Sequence, residues 1–354
     1  MEPIRLGVVG CGVIGSRHVA DAKRSGVCDV VAVADPMQER ARAVARKHEV
    51  AHCFADGHEL IACEDVEAVV LAVPTGVRTP LAQQALAAGK HLLLEKPAAM
   101  NAHEVCDLIA HQGDRVVASC SSRFRTLESA GIVTECIARG ALGPLRVVRA
   151  RTVFAAKEAP SSPPPPWRQS RALNGGGLLV NLGIYDLDYL LGITGWQLVP
   201  ETVFAQTWPV APHLNARVAP GTDADSHFLA LIRCQGGTML SVERGEFAST
   251  EDRNICQVIG EKASLRMQMA AYAPSSVTLE ETEGERGMAP RQLWAGEDDY
   301  AGITRGVLTD FAHAIRESRP PLTDLPRALV LQQITDAVYT SADTGREVRL
   351  GPPG

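Results

Sequence analysis

Leu92-Leu93-Leu94-Glu95-Lys96-Pro97 reads as a buried strand that carries a lysine to the open end of a parallel sheet. A lysine sited there can be desolvated, held by strand geometry and aimed at a reacting group. The ordinary alternative is a surface Glu-Lys pair closing a strand. Position suggests a cis Lys96-Pro97 bond, which would turn Lys96 across a bound cofactor.

A second chemical motif opens the chain. Gly10-Cys11-Gly12-Val13-Ile14-Gly15 follows a short apolar strand and begins a helix, the context that a phosphate-binding Gly-x-Gly-x-x-Gly requires. Gly10 permits a tight turn, Gly12 lets backbone approach a pyrophosphate, and Gly15 lets helix pack on strand. The helix start at Val13 and Ile14 offers free N–H groups to the phosphates. Asp35 ends the next strand, where a carboxylate accepts from adenosine ribose hydroxyls; it could also cap the helix after Pro36. Asp35 favours NAD, because it would repel the 2′-phosphate of NADP, whereas Arg40 is the one nearby residue that could admit it.

A third pattern lies at Gly175–Asp188. Three glycines lead into a helix that is apolar nearly all round, hence buried. Asn181, Tyr185 and Asp188 fall at i, i+4 and i+7 and form one polar stripe. Buried polar groups need partners, so the stripe either binds a polar ligand or ties the helix to its neighbours. Gly183 implies close packing against another element.

The elements that must position these residues divide into two regions. Strands expected at 4–9, 30–34, 51–54, 67–73, 91–95 and 115–119 alternate with helices at 13–25, 36–47, 57–62, 77–88 and 102–112. This is a doubly wound parallel α/β sheet, taken as residues 1–122. Beyond it, a helix at 126–139 precedes strands at 145–154, 199–207, 226–234, 238–244, 254–260, 263–269 and 276–281. Short turns between them imply an α+β region, 123–354, built on an open, mostly antiparallel sheet. Helices at 177–194, 303–317 and 324–343 are expected to cover one of its faces, the last of them with the option of packing back near the first domain. The proline tract 161–166 should form a stiff extended loop that feeds Trp167 and Arg168 into an active-site wall.

The 354 residues suit two domains, and 45% hydrophobic with 21% charged residues suits globular folding. A net charge of -6 without basic clusters argues against nucleic acid or an anionic membrane surface. The nine cysteines lack Cys-x-x-Cys or zinc spacing, so they are read as small buried hydrophobes, with no metal site. A strand beginning almost at Met1 and the lack of a membrane-length apolar run lead to an expected cytoplasmic location.

Together these motifs resemble the Gfo/Idh/MocA oxidoreductases over nearly the whole chain. The likeness runs through Gly10–Gly15, Val73-Pro74-Thr75, Ala88–His91, Glu95-Lys96-Pro97, Arg123-Phe124, Trp167-Arg168, Gly175–Asp188 and Pro320–Thr323. It implies an NAD(P)-binding Rossmann domain that also uses Pro74, Thr75, Glu95 and Lys96. It further implies a substrate domain drawing on Arg123, Trp167, Arg168, Asn181, Tyr185 and Asp188, which often forms the oligomer interface. The implied activity is hydride transfer between nicotinamide and a secondary hydroxyl or ketone of a sugar, polyol, cyclitol or cyclic dihydrodiol.

The chain departs from the family pattern at the later motif. Asn181 stands where aspartate is usual and Tyr185 where histidine is usual, and Arg78 replaces a common histidine. A phenol ordinarily titrates near pH 10, and a close ammonium such as Lys96 would favour its ionised form. Whether Tyr185 or Lys96 is the base stays open, with Asn181 orienting a hydroxyl. Two other activities occur in the same family: glycoside cleavage through transient oxidation, and nucleotide sensing without catalysis. A homodimer or homotetramer is expected, because an antiparallel sheet covered on one side leaves an apolar face.

Overall fold

A computed structural model describes residues 2–158, 165–250, 252–268, 275–284 and 287–351. Residues 161–164 of the proline tract lie outside the described residues. The chain divides into two compact units, one of Met1–Arg123 with Ala301–Gln332 and one of Phe124–Tyr300 with Gln333–Gly354.

The first unit alternates β1 (Ile4–Val9), α1 (Val13–Ser25), β2 (Cys28–Ala34), α2 (Gln38–His48), β3 (His52–Phe54), α3 (Gly57–Ala62), β4 (Ala68–Leu71), α4 (Arg78–Ala87), β5 (His91–Leu94), α5 (Ala102–His111) and β6 (Val117–Ser119). All six strands are parallel in the order β3-β2-β1-β4-β5-β6. Period-two alternation sends β5 side chains to opposite faces: Leu93 joins one core, while Leu92 and Leu94 join the other. Burial on both faces explains why these strands read as continuous apolar runs rather than as polar alternation.

The helix at Ile303–Glu317 belongs to this unit rather than to the second sheet. Its Val307, Leu308, Phe311 and Ala312 form a stripe that enters the same core as Leu6, Val8 and Val19 of β1 and α1. The following helix, Leu325–Thr344, gives Leu325, Ala328 and Leu329 to the opposite core of the first unit, and its later residues belong to the second unit. A single cut near residue 122 therefore misses a returning segment. The helical pattern marked each apolar face but carried no information about which sheet it would meet.

The second unit holds a nine-stranded sheet. Its members are β7 (Leu145–Ala155), β8 (Pro200–Pro209), β9 (Asp225–Cys234), β10 (Met239–Ala248), β11 (Asp252–Gly260), β12 (Ala263–Met267), β13 (Ser275–Glu283), β14 (Gly287–Gly296) and β15 (Val348–Arg349). The order is β14-β13-β12-β11-β7-β10-β9-β8-β15, antiparallel except for the parallel pair of β7 and β10. Neither edge strand stands out in the sequence. β14 carries Pro290 and is largely exposed, which an edge strand tolerates because its outer N–H groups need no partner. β15 is only two residues long.

Along β9, Phe228, Ala230 and Ile232 are buried while Leu229 and Leu231 are exposed. Phe204 of β8 pairs with Leu231 in register and is 53% exposed, and Trp208 is also exposed. The sheet thus has a core face and an outer face that is apolar at this end.

The expected helix 177–194 is two pieces. Leu179–Gly183 forms a π turn and Ile184–Ile193 continues as an α-helix. Gly183 lies where a Cβ would come within 2.5 Å of the Phe228 ring, so the wider turn brings backbone directly onto the sheet. Asn181 consequently sits in the π turn, and Tyr185 and Asp188 sit beyond it. The stripe drawn on a uniform helix does not survive intact. Among the described residues no helix is long and apolar enough to cross a membrane.

Candidate active site

In the first unit, the glycine motif takes the form its spacing requires. Gly10 has φ +95, and a Cβ there would lie 2.5 Å from the Ala72 carbonyl oxygen. A Cβ on Gly15 would lie 1.7 Å from the Gly10 oxygen, so neither position accepts another residue. Gly12 differs, because nothing lies within 4 Å of where its Cβ would be. That leaves open space against the backbone at the start of α1, where no side chain caps the first N–H groups. Val13 is exposed at this end and Ile14 is half-buried. The surroundings of Gly12 fit a pyrophosphate.

Asp35 is buried at the carboxyl end of β2. Its Oδ2 accepts the Cys11 N–H at 2.8 Å and its Oδ1 accepts the Met37 N–H at 2.8 Å. It therefore braces the glycine loop and the approach to α2, whose N-cap is Met37. Each carboxylate oxygen keeps a further lone pair for a ribose hydroxyl. Pro74 leads into a short 3₁₀ turn at Thr75–Val77, with Thr75 buried. Arg40 lies exposed on α2.

Lys96 leaves the end of β5 half-buried, and its bond to Pro97 is cis. Glu95 beside it is buried and is the centre of a network. Its Oε1 lies 2.8 Å from His18 Nε2 and accepts from Arg123, while its Oε2 accepts the Lys96 N–H at 3.2 Å. Burial alone would raise the Glu95 carboxyl, but Arg123, His18 and Lys96 together hold it well below the usual range. Glu95 and Arg123, expected to contact cofactor and substrate respectively, are bonded to each other inside the unit.

His18 was not recognisable as part of this network from spacing alone. The available signal was a polar residue within the Gly15, Val19, Ala22 stripe of α1, a place normally apolar. Cys120 Sγ lies 3.9 Å from His18 Nε2, and burial pushes its thiol up. Burial likewise pushes the Cys11 thiol up to about 12, which marks it as an inert core group. Arg123 on the same carboxylate makes the His18, Glu95 and Cys120 cluster an ion-pair network. A second grouping joins His52, the first residue of the edge strand β3, to Cys63 and Asp65.

Arg78 opens α4 and is 2% exposed. Its guanidinium donates to the Val73 carbonyl at 2.6 Å and to the Pro97 carbonyl. Burial lowers its pKa to about 10, opposed by Glu95, so it stays cationic at neutral pH.

In the second unit, Tyr185 is 7% exposed and its ring packs at 5.4 Å from Phe124. Asn181 donates from Nδ2 to the Arg168 carbonyl at 2.9 Å and accepts from Asn174 at 3.3 Å. Asn181 thus ties the π turn to the segment holding Trp167 and Arg168, both exposed. Asp188, expected among the substrate contacts, is 0% exposed and pairs with Arg125 at 2.8 Å, so it belongs to the packing.

Asp186 and Asp225 are the residues the stripe did not reveal. Arg244 grips Asp186 with two bonds of 2.7 Å; burial pushes this carboxyl up and Arg244 opposes it. Asp225 accepts the Gly177 and Leu179 N–H groups at 2.9 Å each, and the Tyr339 hydroxyl at 2.7 Å. Burial and the Asp225 charge keep the Tyr339 phenol protonated, hence a donor. A Cβ on Gly176 or Gly177 would collide with Tyr339 or with Asp225 backbone, which accounts for those two glycines.

The fold and these sites define an oxidoreductase with an NAD-binding Rossmann unit. Residues 4–119 match the oxidoreductase family with NAD-binding Rossmann fold, and residues 132–266 match the GFO/IDH/MocA C-terminal domain. The chain is 31% identical to trans-1,2-dihydrobenzene-1,2-diol dehydrogenase of Sus scrofa, across 95% of this chain and 96% of that one. It is 24% identical to myo-inositol 2-dehydrogenase of Thermotoga maritima, across 98% of both. A solved structure of levoglucosan dehydrogenase in complex with NADH shares the fold, with TM-score 0.85 at 20% identity over 99% of this chain and 100% of that one. The chain belongs to the Gfo/Idh/MocA family.

The Glu95 network makes stability depend on acidity in a defined direction. Because the folded carboxyl sits below its ordinary 4.5, its contribution is complete above that pH and is lost as pH falls below it. Glu95→Gln should cost about 3–5 kcal/mol at neutral pH by breaking a buried ion pair. Thermal melts in a pH series should show the gap between wild type and variant narrowing from pH 4.5 downward. A gap that does not change with pH would remove the charge from this role.

Proposed function

We propose that this protein moves a hydride between NAD and a secondary hydroxyl or ketone of a sugar, polyol, cyclitol or cyclic dihydrodiol. Lys96 and Tyr185 handle the proton. When bound, the nicotinamide supplies the acceptor or donor of hydride at its C4. The carrying observation is Lys96 at the carboxyl end of β5, where parallel sheets receive their ligands, with its backbone N–H gripped by the buried Glu95 carboxylate. Lys96 hydrogen-bonds the substrate oxygen and places positive charge beside it. Tyr185 takes the hydroxyl proton in oxidation and returns it in reduction. Asn181, fastened to Arg168 and Asn174, orients a neighbouring hydroxyl without relaying a proton.

Lys96→Met and Tyr185→Phe preserve approximate volume while removing the proton chemistry. Each should lower turnover by about 10²–10⁴-fold with NADH binding retained. A variant with near-normal turnover takes its residue out of the mechanism.

NAD is proposed in preference to NADP, with Asp35 accepting from the ribose hydroxyl and repelling a 2′-phosphate. Fluorescence titration should give tighter binding of NADH than of NADPH. Tighter NADPH binding would overturn the role given to Asp35 and point to Arg40.

We also propose a homodimer or homotetramer built on the second unit's sheet, supported by the outward Phe204, Trp208, Leu229 and Leu231. Light scattering should report at least two copies per particle. A monomer of 37.8 kDa at micromolar concentration contradicts it.

A further inference from the structure

We propose that Arg78 is the positioning residue for Lys96, its guanidinium bridging two strand-end carbonyls so that the turn bearing the lysine has one geometry. The inference rests on the reading of Lys96 given above and adds the device that holds it.

β4 and β5 are parallel neighbours whose last paired residues are Leu71 and Leu94. Beyond that pair the two chains leave the ladder, and their carbonyls need donors from elsewhere. Arg78 supplies them, donating through Nη2 to Val73 and through Nη1 to Pro97, the residue after Lys96. On the other side of the lysine, the Lys96 N–H is held by Glu95 Oε2 at 3.2 Å. The backbone is therefore pinned on both sides of Lys96.

The next residue of α4 extends the clamp. Thr79 donates to Glu104 Oε2 at 2.5 Å, and the same oxygen accepts the Met100 N–H at 3.2 Å. The first turn of α4 thus fixes the start and the end of the segment following the lysine.

The choice of arginine carries the argument. A guanidinium offers two N–H donors in a rigid fork, whereas an ammonium is a single point that satisfies one of two separated carbonyls well. Burying a cation is a poor route to stability, since its desolvation offsets most of what it gains. Arg78 is nonetheless buried, and what it secures is the relative position of two backbone exits. One of them carries Lys96. A misplacement of about 1 Å at a reacting group costs on the order of 10²-fold in rate.

The test is a double-mutant cycle combined with hydrogen exchange on the full chain, with and without NADH. Arg78→Met should lower kcat by about 10²-fold. The NADH dissociation constant should stay within about threefold, and Arg78→Lys should restore part of the rate. In the Lys96→Met background, Arg78→Met should cost no more than about twofold further, because both changes remove the same action. Independently of any substrate, the amides of residues 95, 96 and 98–100 should exchange about tenfold faster in Arg78→Met, with the rest of the first unit unchanged.

Rate losses that multiply in the double variant, or unchanged exchange at those amides, overturn the proposal. Near-normal turnover by Lys96→Met overturns the parent reading, and with it the catalytic half of this one. Unchanged exchange together with an inactive Lys96→Met overturns this proposal alone.

Discussion

A carboxylate cannot be buried without partners, and the first unit is arranged around that constraint at Glu95. Desolvation on its own would neutralise the group, yet Arg123, His18 and the Lys96 charge keep it ionised. These partners come from α1, from the turn after β6 and from the end of β5. One charge therefore ties the helix that follows the glycine loop to the strand that ends in the lysine. The helix after the glycine loop and the turn bearing Lys96 are thus fixed to each other through the two oxygens of one carboxylate.

The second unit solves a parallel problem with different groups. A helix that is apolar on nearly every side must anchor its polar residues internally, and it does so through Asp186 with Arg244 and Asp188 with Arg125. Asp225 and Tyr339 hold the N–H groups that open the π turn. Tyr185 packs against Phe124, and Asn181 is tied to the segment carrying Trp167 and Arg168. Trp167 and Arg168 are exposed, and the buried ion pairs hold the helix rigid.

Much of this was legible in the residues. Apolar strand runs alternating with helix-length segments, together with the glycine spacing, identify the parallel sheet, and the apolar run before Glu95 places Lys96 at its carboxyl edge. The stripe of Asn181, Tyr185 and Asp188 was drawn on a uniform helix, and a π turn pressed onto Phe228 changed its phase. Asp188 looked like a ligand because a lone carboxylate in an apolar helix invites one; its partner, Arg125, is sixty-three positions earlier and invisible to local pattern. The same holds for Arg244 with Asp186. Long-range pairings of buried charges leave no periodic trace, and neither does a helix such as Ile303–Glu317 that returns to an earlier sheet.

The central claim is that this chain interconverts a secondary carbinol and its ketone by hydride exchange with a bound nicotinamide rather than merely binding the nucleotide. The most direct measurement follows absorbance of NADH while the protein meets NAD and a set of vicinal diols: myo-inositol, methyl glucosides, levoglucosan and trans-1,2-dihydrobenzene-1,2-diol. The account predicts accumulation of NADH with at least one of them, in stoichiometric step with the ketone formed. Cleavage of a glycoside without accumulated NADH, or tight NADH binding with no turnover of any member, would contradict it.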